Sequence, residues 1–103
     1  MKKVNLIKNN RLSSIFFMEI AEIINNEEIY FNQNKNRILV TLMRVYFNPE
    51  INLIKAYIIV YPFLDQKVFS YIRSRSKFYR KLLSKRLRYR VKKIPELHFC
   101  ATV

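Results

Sequence analysis

The 103-residue chain contains no glycine. Phosphate-binding P-loops, dinucleotide-binding fingerprints and Gly-containing nucleophile elbows all need glycine at fixed positions, because other residues resist the required backbone angles or block close approach. The absence of glycine therefore excludes these nucleotide-binding and hydrolytic motifs.

The composition is that of a folded intracellular protein. The length predicts one domain covering residues 1–103, since domains of about 100–150 residues are the commonest. Half of the residues are hydrophobic, which is enough for a core. The single cysteine, Cys100, cannot form an intramolecular disulfide, which favours a reducing compartment. The longest apolar run, residues 56–64, is too short to span a bilayer, so we expect a soluble, cytoplasmic protein. We also expect it to be a monomer.

The positive charge is concentrated in one part of the chain. The net charge of +13 opposes compaction by self-repulsion and favours a polyanion as the partner. Residues 73–103 carry eleven Lys or Arg against one Asp or Glu (+10), whereas residues 1–72 carry nine against six (+3). The basicity therefore belongs to one region of the fold.

Hydrophobic periodicity predicts a helix in the first quarter of the chain. Asn9 and Asn10 can cap this helix, and residues 1–8 before it are predicted to be a flexible basic N-terminus. Its apolar residues recur at spacings of three and four: Leu12, Ile15, Phe16, Ile20 and Ile23 or Ile24. The Asn-rich residues 25–36 are predicted to form a loop.

Two β-branched and aromatic segments, residues 37–47 and 53–61, predict a hairpin with Pro49 in its turn. Alternation divides the second strand into two faces: Ile54, Ala56, Ile58 and Val60 on one, and Lys55, Tyr57, Ile59 and Tyr61 on the other. Helices covering one face of this hairpin are the simplest arrangement.

The last third of the chain predicts two helices and a third strand. Asp65 can cap a short helix over residues 66–74. A longer helix covers residues 77–91, and Pro95 stops it. Residues 96–102 form the strand. The inward apolar residues are Val68, Phe69 and Ile72 in the short helix and Leu97 and Phe99 in the strand. The result is an α+β fold of order α-β-β-α-α-β, with a three-stranded sheet and helices on one face.

The longer helix is strongly amphipathic when its residues are placed at about 100° intervals. One side carries Phe78, Tyr79, Leu82, Leu83 and Leu87. The opposite side carries Lys77, Lys81, Lys85, Arg88 and Lys92, bordered by Arg80 and Ser84. A solvated face, a membrane-surface helix and a nucleic-acid contact are the three interpretations.

Nucleic-acid contact is favoured because no acid lies between Arg73 and Glu96 to compensate the charge. A membrane-surface helix would need a free apolar face, which is required here to cover the hairpin. Tyrosines at four positions could stack on unpaired bases: Tyr57, Tyr61, Tyr79 and Tyr89.

Four segments also resemble the ribosome-binding factor A family over residues 11–99. They are "RLSS" running to "EIAEII", "NLIKAYIIVY", "FYRKLLSKRLRYR" and the closing "PELHF". The resemblance implies a KH type II-like fold that binds 16S rRNA in the immature 30S ribosomal subunit, late in its maturation and rRNA processing, with importance in the cold. No catalysis goes with the family.

The sequence departs from the family pattern between the last two helices. Arg75, Ser76 and Lys77 stand where the family usually has an Ala-x-Gly kink. We expect the two new cations to point toward the RNA surface and add phosphate contacts. The segment before the last strand is also slightly longer than in the usual family pattern. An acidic residue and a flexible tail often follow that strand in the family, and no role of that tail is assigned to this chain.

The predicted RNA-binding residues are Arg73, Arg75, Ser76, Lys77, Arg80, Lys81, Ser84, Lys85, Arg88, Arg90 and Lys92. The alternatives are a permanent structural protein of a ribonucleoprotein and a basic membrane-surface protein.

Residues suited to catalysis or metal binding are sparse. His98 and Cys100 share a strand face, but no second His or Cys exists and structural zinc needs about four ligands. The carboxylate pairs Glu19/Glu22 and Glu27/Glu28 are predicted to be helix-surface and loop residues. We expect no enzyme activity, cofactor, metal or small-molecule substrate.

Overall fold

The computed structural model describes residues 2–27 and 38–102, with side chains described from residue 11 onward. The described elements are α1 (Lys2–Asn26), β1 (Leu39–Asn48), β2 (Leu53–Tyr61), α2 (Gln66–Ser74), α3 (Ser76–Leu87) and β3 (Glu96–Ala101). Their order confirms the predicted α-β-β-α-α-β arrangement.

The three strands form one mixed sheet in the order β1-β2-β3. β1 and β2 are antiparallel, and β2 and β3 are parallel. Helix α1 packs against β1, and α2 and α3 pack against β3. The inward residues of β2 are all buried and its alternate residues are not, which confirms the predicted division of faces and leaves the other sheet face open.

The core lies between the helices and the covered face of the sheet. Helix α1 buries its apolar stripe, with Phe16 edge-on to Phe47 of β1 at 5.3 Å between ring centroids. Helix α3 buries Leu83 and Leu87 completely, and Ile72 of α2 is equally inaccessible. The apolar side of α3 is therefore occupied, except that Phe78 is 43% exposed.

Two predicted helix boundaries are wrong. Helix α1 begins at Lys2, so Asn9 and Asn10 lie within it instead of capping it. The predicted flexibility of residues 1–8 stays a prediction, and residues 28–36 of the predicted loop lie outside the described residues.

Helix α3 ends at Leu87, earlier than the predicted residue 91. The Leu87 carbonyl accepts hydrogen bonds from the backbone N–H groups of Arg90 and Val91, both at 2.9 Å, which close a turn in place of further helix. The chain turns back toward the sheet here, because Ile94 and Pro95, just before β3, are buried.

The β1–β2 turn has asparagine at a position whose backbone conformation is most often adopted by glycine. Asn52 adopts a φ of 51°, a left-handed conformation that asparagine tolerates better than most residues. The Asn48 side-chain oxygen accepts a hydrogen bond from the backbone N–H of Glu50 at 3.0 Å. This local bond stabilises the turn predicted around Pro49.

Truncation of the core side of α3 tests this packing. We expect Leu83→Ala to lower the free energy of unfolding by about 2–5 kcal/mol, because it leaves a cavity beneath a fully buried side chain. Met18→Ala, at a 71% exposed position on α1, should change it by less than about 0.5 kcal/mol. Urea denaturation measures both, and equal small losses would show that α3 is not packed as described.

Candidate nucleic-acid interface

The break between α2 and α3 is made by a single residue with ordinary backbone angles. Arg75 has φ −96° and ψ 7°, and its N–H donates to the carbonyls of Tyr71 and Ile72 at 3.2 and 3.1 Å. Its own carbonyl accepts from the Tyr79 N–H at 2.9 Å, which starts α3. No positive φ is needed, so the chain can turn here without the family's glycine.

The Arg75 side chain is directed into the protein, which corrects the expectation that it points toward RNA. Its Nε and Nη2 donate to the two carboxylate oxygens of Glu27 at 3.2 and 3.4 Å. The guanidinium also lies 4.2 Å from the centroid of the Phe78 ring. Glu27 lies in the turn just after α1, which agrees with its prediction as a loop residue, but it is only 7% exposed.

Tyr79 completes this cluster. Its hydroxyl donates to Glu27 Oε2 at 3.0 Å, and its ring packs edge-on against Phe99 with centroids 5.7 Å apart. Burial, together with the neighbouring carboxylate, raises the pKa of the Tyr79 phenol above its ordinary value of 10.0. Its ring is fully buried and is therefore not available for stacking on a base.

Arg80 also has an internal role. Its Nε donates to the Pro95 carbonyl at 3.0 Å and its Nη2 to the Ile94 carbonyl at 2.8 Å. These two bonds hold the segment before β3 against α3. Sequence reasoning missed this function because both acceptors are backbone atoms fourteen and fifteen positions away.

Arg86 joins α3 to the first helix. Its Nη1 lies 3.3 Å from Glu19 Oε2 and 3.1 Å from Glu22 Oε2. The acids that compensate part of the basic helix therefore come from α1, far away in sequence. Because the two glutamates lie more than sixty residues before Arg86, inspection of residues 73–96 alone could not find them.

The remaining cations form an exposed surface. Five cations form no ion pair with the side chains that the structure describes, those of residues 11–27 and 38–102. They are Lys77, Lys81, Lys85, Arg88 and Lys92. All five are exposed, which confirms that they face outward, but Lys77, Lys81 and Lys85 lie on α3, whereas Arg88 and Lys92 follow its last residue. We call these five residues the basic stripe.

A groove of about 500 Å³ runs between α3 and the segment that precedes β3. Its lining is Lys77, Arg80, Lys81, Ser84, Arg88, Val91, Lys92, Lys93 and Ile94. Lysines stand on both walls, with Lys77 and Lys81 on α3 and Lys92 and Lys93 on the segment. Lys93 was not among the predicted site residues, although the charge run in the sequence extends to it.

The other predicted residues lie outside the groove. Arg73 is exposed and stacks over Phe69 at 5.7 Å, while the Ser76 hydroxyl donates to the Arg73 carbonyl at 2.9 Å. Lys85 continues the basic stripe beyond the groove, and Arg90 is exposed in the turn after α3. Their RNA-binding role stays a prediction.

Other kinds of site find little support in the part of the chain that the structure describes. No group of three or more His, Cys, Asp or Glu could hold a metal ion there. None of the helices found there has the length and hydrophobicity needed to cross a membrane. His98 and Cys100 share the open face of the sheet, opposite Lys55 and Tyr57 of β2.

The Tyr79 hydroxyl gives a pH prediction. Because its pKa is raised in the folded protein, Tyr79 contributes stability that is fully present below pH 10 and is lost as rising pH ionises the unfolded chain first. We expect Tyr79→Phe to lower the free energy of unfolding at pH 7 by about 1.5–3 kcal/mol, because Glu27 loses a hydrogen bond. The variant should also decline less steeply than the wild type above pH 10.

Denaturation at a series of alkaline pH values measures this difference. Tyr61→Phe, at a 65% exposed tyrosine, is the matched control and should keep the wild-type slope. Identical alkaline slopes for all three proteins would show that Tyr79 is not buried against Glu27.

The family model "Ribosome-binding factor A" matches residues 8–101. Among solved structures, the crystal structure of ribosome-binding factor A from Thermus thermophilus is similar with a TM-score of 0.69 and 14% sequence identity, over 90% of this chain and 93% of that one. A search of curated proteins finds no match. The chain belongs to the ribosome-binding factor A family.

Proposed function

We propose that this protein is an RNA-binding assembly factor that acts late in the maturation of the small (30S) ribosomal subunit and in 16S rRNA processing. The family membership supports a ribosomal partner, and the basic groove supports direct contact with RNA. In this proposal the protein acts in the cytoplasm as a monomer, without catalysis or a cofactor, and matters most at low temperature.

The observation that carries the proposal is the uncompensated charge of the groove. Lysines on both walls leave room for an extended anionic chain between them, and no acidic residue lines the groove. Lys and Arg side chains donate hydrogen bonds to phosphate oxygens, and the small Ser84 side chain permits close approach of the RNA backbone. A membrane surface is disfavoured because Leu83 and Leu87 are buried and cannot enter lipid.

The mechanism is positional. Phosphate contacts anchor the domain, and its bulk holds a nearby RNA junction in one arrangement until maturation proceeds. Arg80 contributes indirectly, because it fixes the segment that carries Lys92 and Lys93 opposite α3. Shape and unpaired bases determine specificity, since side chains cannot read the deep groove of A-form RNA.

Salt dependence tests the basic stripe. If about five cations contact phosphates, a plot of the logarithm of the RNA association constant against the logarithm of salt concentration should have a slope of roughly −3.5 to −4.5. A fourfold rise in salt concentration then weakens RNA binding by roughly a few hundredfold. We expect Lys81→Gln, Lys85→Gln and Arg88→Gln together to make the slope shallower by about 2–3, with the fold unchanged.

The control removes exposed charge elsewhere. Arg11→Gln with Lys67→Gln takes away two exposed cations that do not line the groove and should leave the slope close to that of the wild type. A slope that depends only on the number of charges removed, and not on their position, would exclude the basic stripe as the binding surface.

Sedimentation separates an assembly factor from a permanent ribonucleoprotein component. We expect the protein in sucrose-gradient fractions that contain immature small subunits and not in translating ribosomes, because a maturation factor must leave its product. The triple variant should be depleted from the immature fractions. Equal amounts of wild-type protein in both fractions would support a structural role instead.

A further inference from the structure

The open face of the sheet carries an organised set of tyrosines and cations. Strand register places Tyr46, Lys55 and His98 in one row across the three strands, and Arg44, Tyr57 and Cys100 in the next. Tyr61 lies farther along β2, opposite Leu39. The described helices pack against the other face, so this surface lies on the opposite side of the sheet from the basic stripe.

A β-bulge is responsible for the direction of two of these side chains. The register shifts between Leu42 and Arg44, which makes Met43 an extra residue in β1. Without it, alternation would turn Arg44 and Tyr46 toward the core. The bulge therefore presents a cation and an aromatic ring on the open face.

The rings on this face are accessible and lie near positive charge. Tyr46 is 60% exposed and Tyr61 is 65% exposed. The Arg44 guanidinium lies over the Tyr57 ring, 4.6 Å from its centroid. Tyr46, Tyr57 and Tyr61 mark a track about 20 Å long, estimated from the rise per residue in a strand.

The charge on this face complements a nucleic acid. Arg44 and Lys55 are exposed cations near its centre, whereas Glu96 is the acid that the strands place on it, in a row at one end opposite Leu53. Aromatic side chains on a sheet stack on unpaired bases, while nearby cations contact the phosphates. A duplex cannot use such a surface, because its bases are already stacked.

We propose that the open face of the sheet is a second RNA-binding surface, on which unpaired nucleotides stack on Tyr46 and Tyr61 while Arg44 and Lys55 contact their phosphates. This rests on the proposed function, since it assumes that the partner is RNA. It adds that the protein contacts two RNA segments at once, with unpaired nucleotides on one side and a phosphate backbone on the other.

The test compares binding to a short oligouridylate and to an RNA hairpin duplex, by fluorescence anisotropy. We expect Tyr46→Ala and Tyr61→Ala each to weaken oligouridylate binding roughly fivefold or more, the equivalent of one lost base stack. Duplex binding should stay unchanged. Tyr46→Phe and Tyr61→Phe retain the ring and should bind oligouridylate like the wild type.

Charge variants keep the two proposals apart. Lys81→Gln with Lys85→Gln should weaken duplex binding without removing the dependence of oligouridylate binding on the tyrosine rings. In another outcome, the lysine changes leave the binding of both RNAs unchanged while the tyrosine changes weaken oligouridylate binding. That result would exclude the basic stripe as a binding surface and support the open-face proposal.

Two results overturn the open-face proposal. The first is wild-type oligouridylate affinity in both alanine variants, with circular dichroism showing them folded. The second is that the alanine variants keep wild-type oligouridylate affinity but no longer associate with small subunits, which would assign the face to a protein partner. Either result leaves the proposed function of the basic stripe intact.

Discussion

The carboxylate of Glu27 is the interaction on which the arrangement of helices depends. It lies at the end of α1 and accepts hydrogen bonds from Arg75, at the break between α2 and α3, and from Tyr79 in the first turns of α3. A buried carboxylate is costly unless it is paired and hydrogen-bonded, so alternative arrangements that separate these groups are disfavoured. The cluster thereby fixes how α3 leaves α2, and with it the direction in which the basic stripe faces.

Arginine and lysine side chains have different roles on α3. The three arginines that begin or lie within the helix use their planar, multidentate groups for internal contacts: Arg75 with Glu27, Arg80 with backbone carbonyls, and Arg86 with the glutamates of α1. The lysines face outward, where a flexible ammonium can follow a phosphate chain. A sequence count treats all of these residues as equal positive charges. In the fold, these arginines hold neighbouring elements against α3, and Lys77 and Lys81 of α3 line the groove.

Local sequence patterns were sufficient to predict most of the fold and the exposed cations of the site. The limits of β2, its two faces and the Asp65 cap of α2 were predictable because alternation and capping act within a few residues. The end of α3 and the partner of Arg75 were not, because both depend on tertiary contacts with residues distant in sequence. Charge periodicity identified which cations share one side of the helix, but it could not distinguish those already paired from those available to a ligand.

The missing glycine has the same explanation at both positions where it matters. Asn52 supplies the left-handed turn conformation, and Arg75 makes the helix break with ordinary backbone angles that its side chain then holds in place. Where glycine would leave the backbone angle unrestrained, an arginine anchored to a buried carboxylate restricts the relative direction of α2 and α3. Lys77 at the third position of the motif lies inside α3 and joins the groove lining instead of bending the chain. Arg75 therefore restrains the support of the basic stripe, and Lys77 adds a cation to the groove.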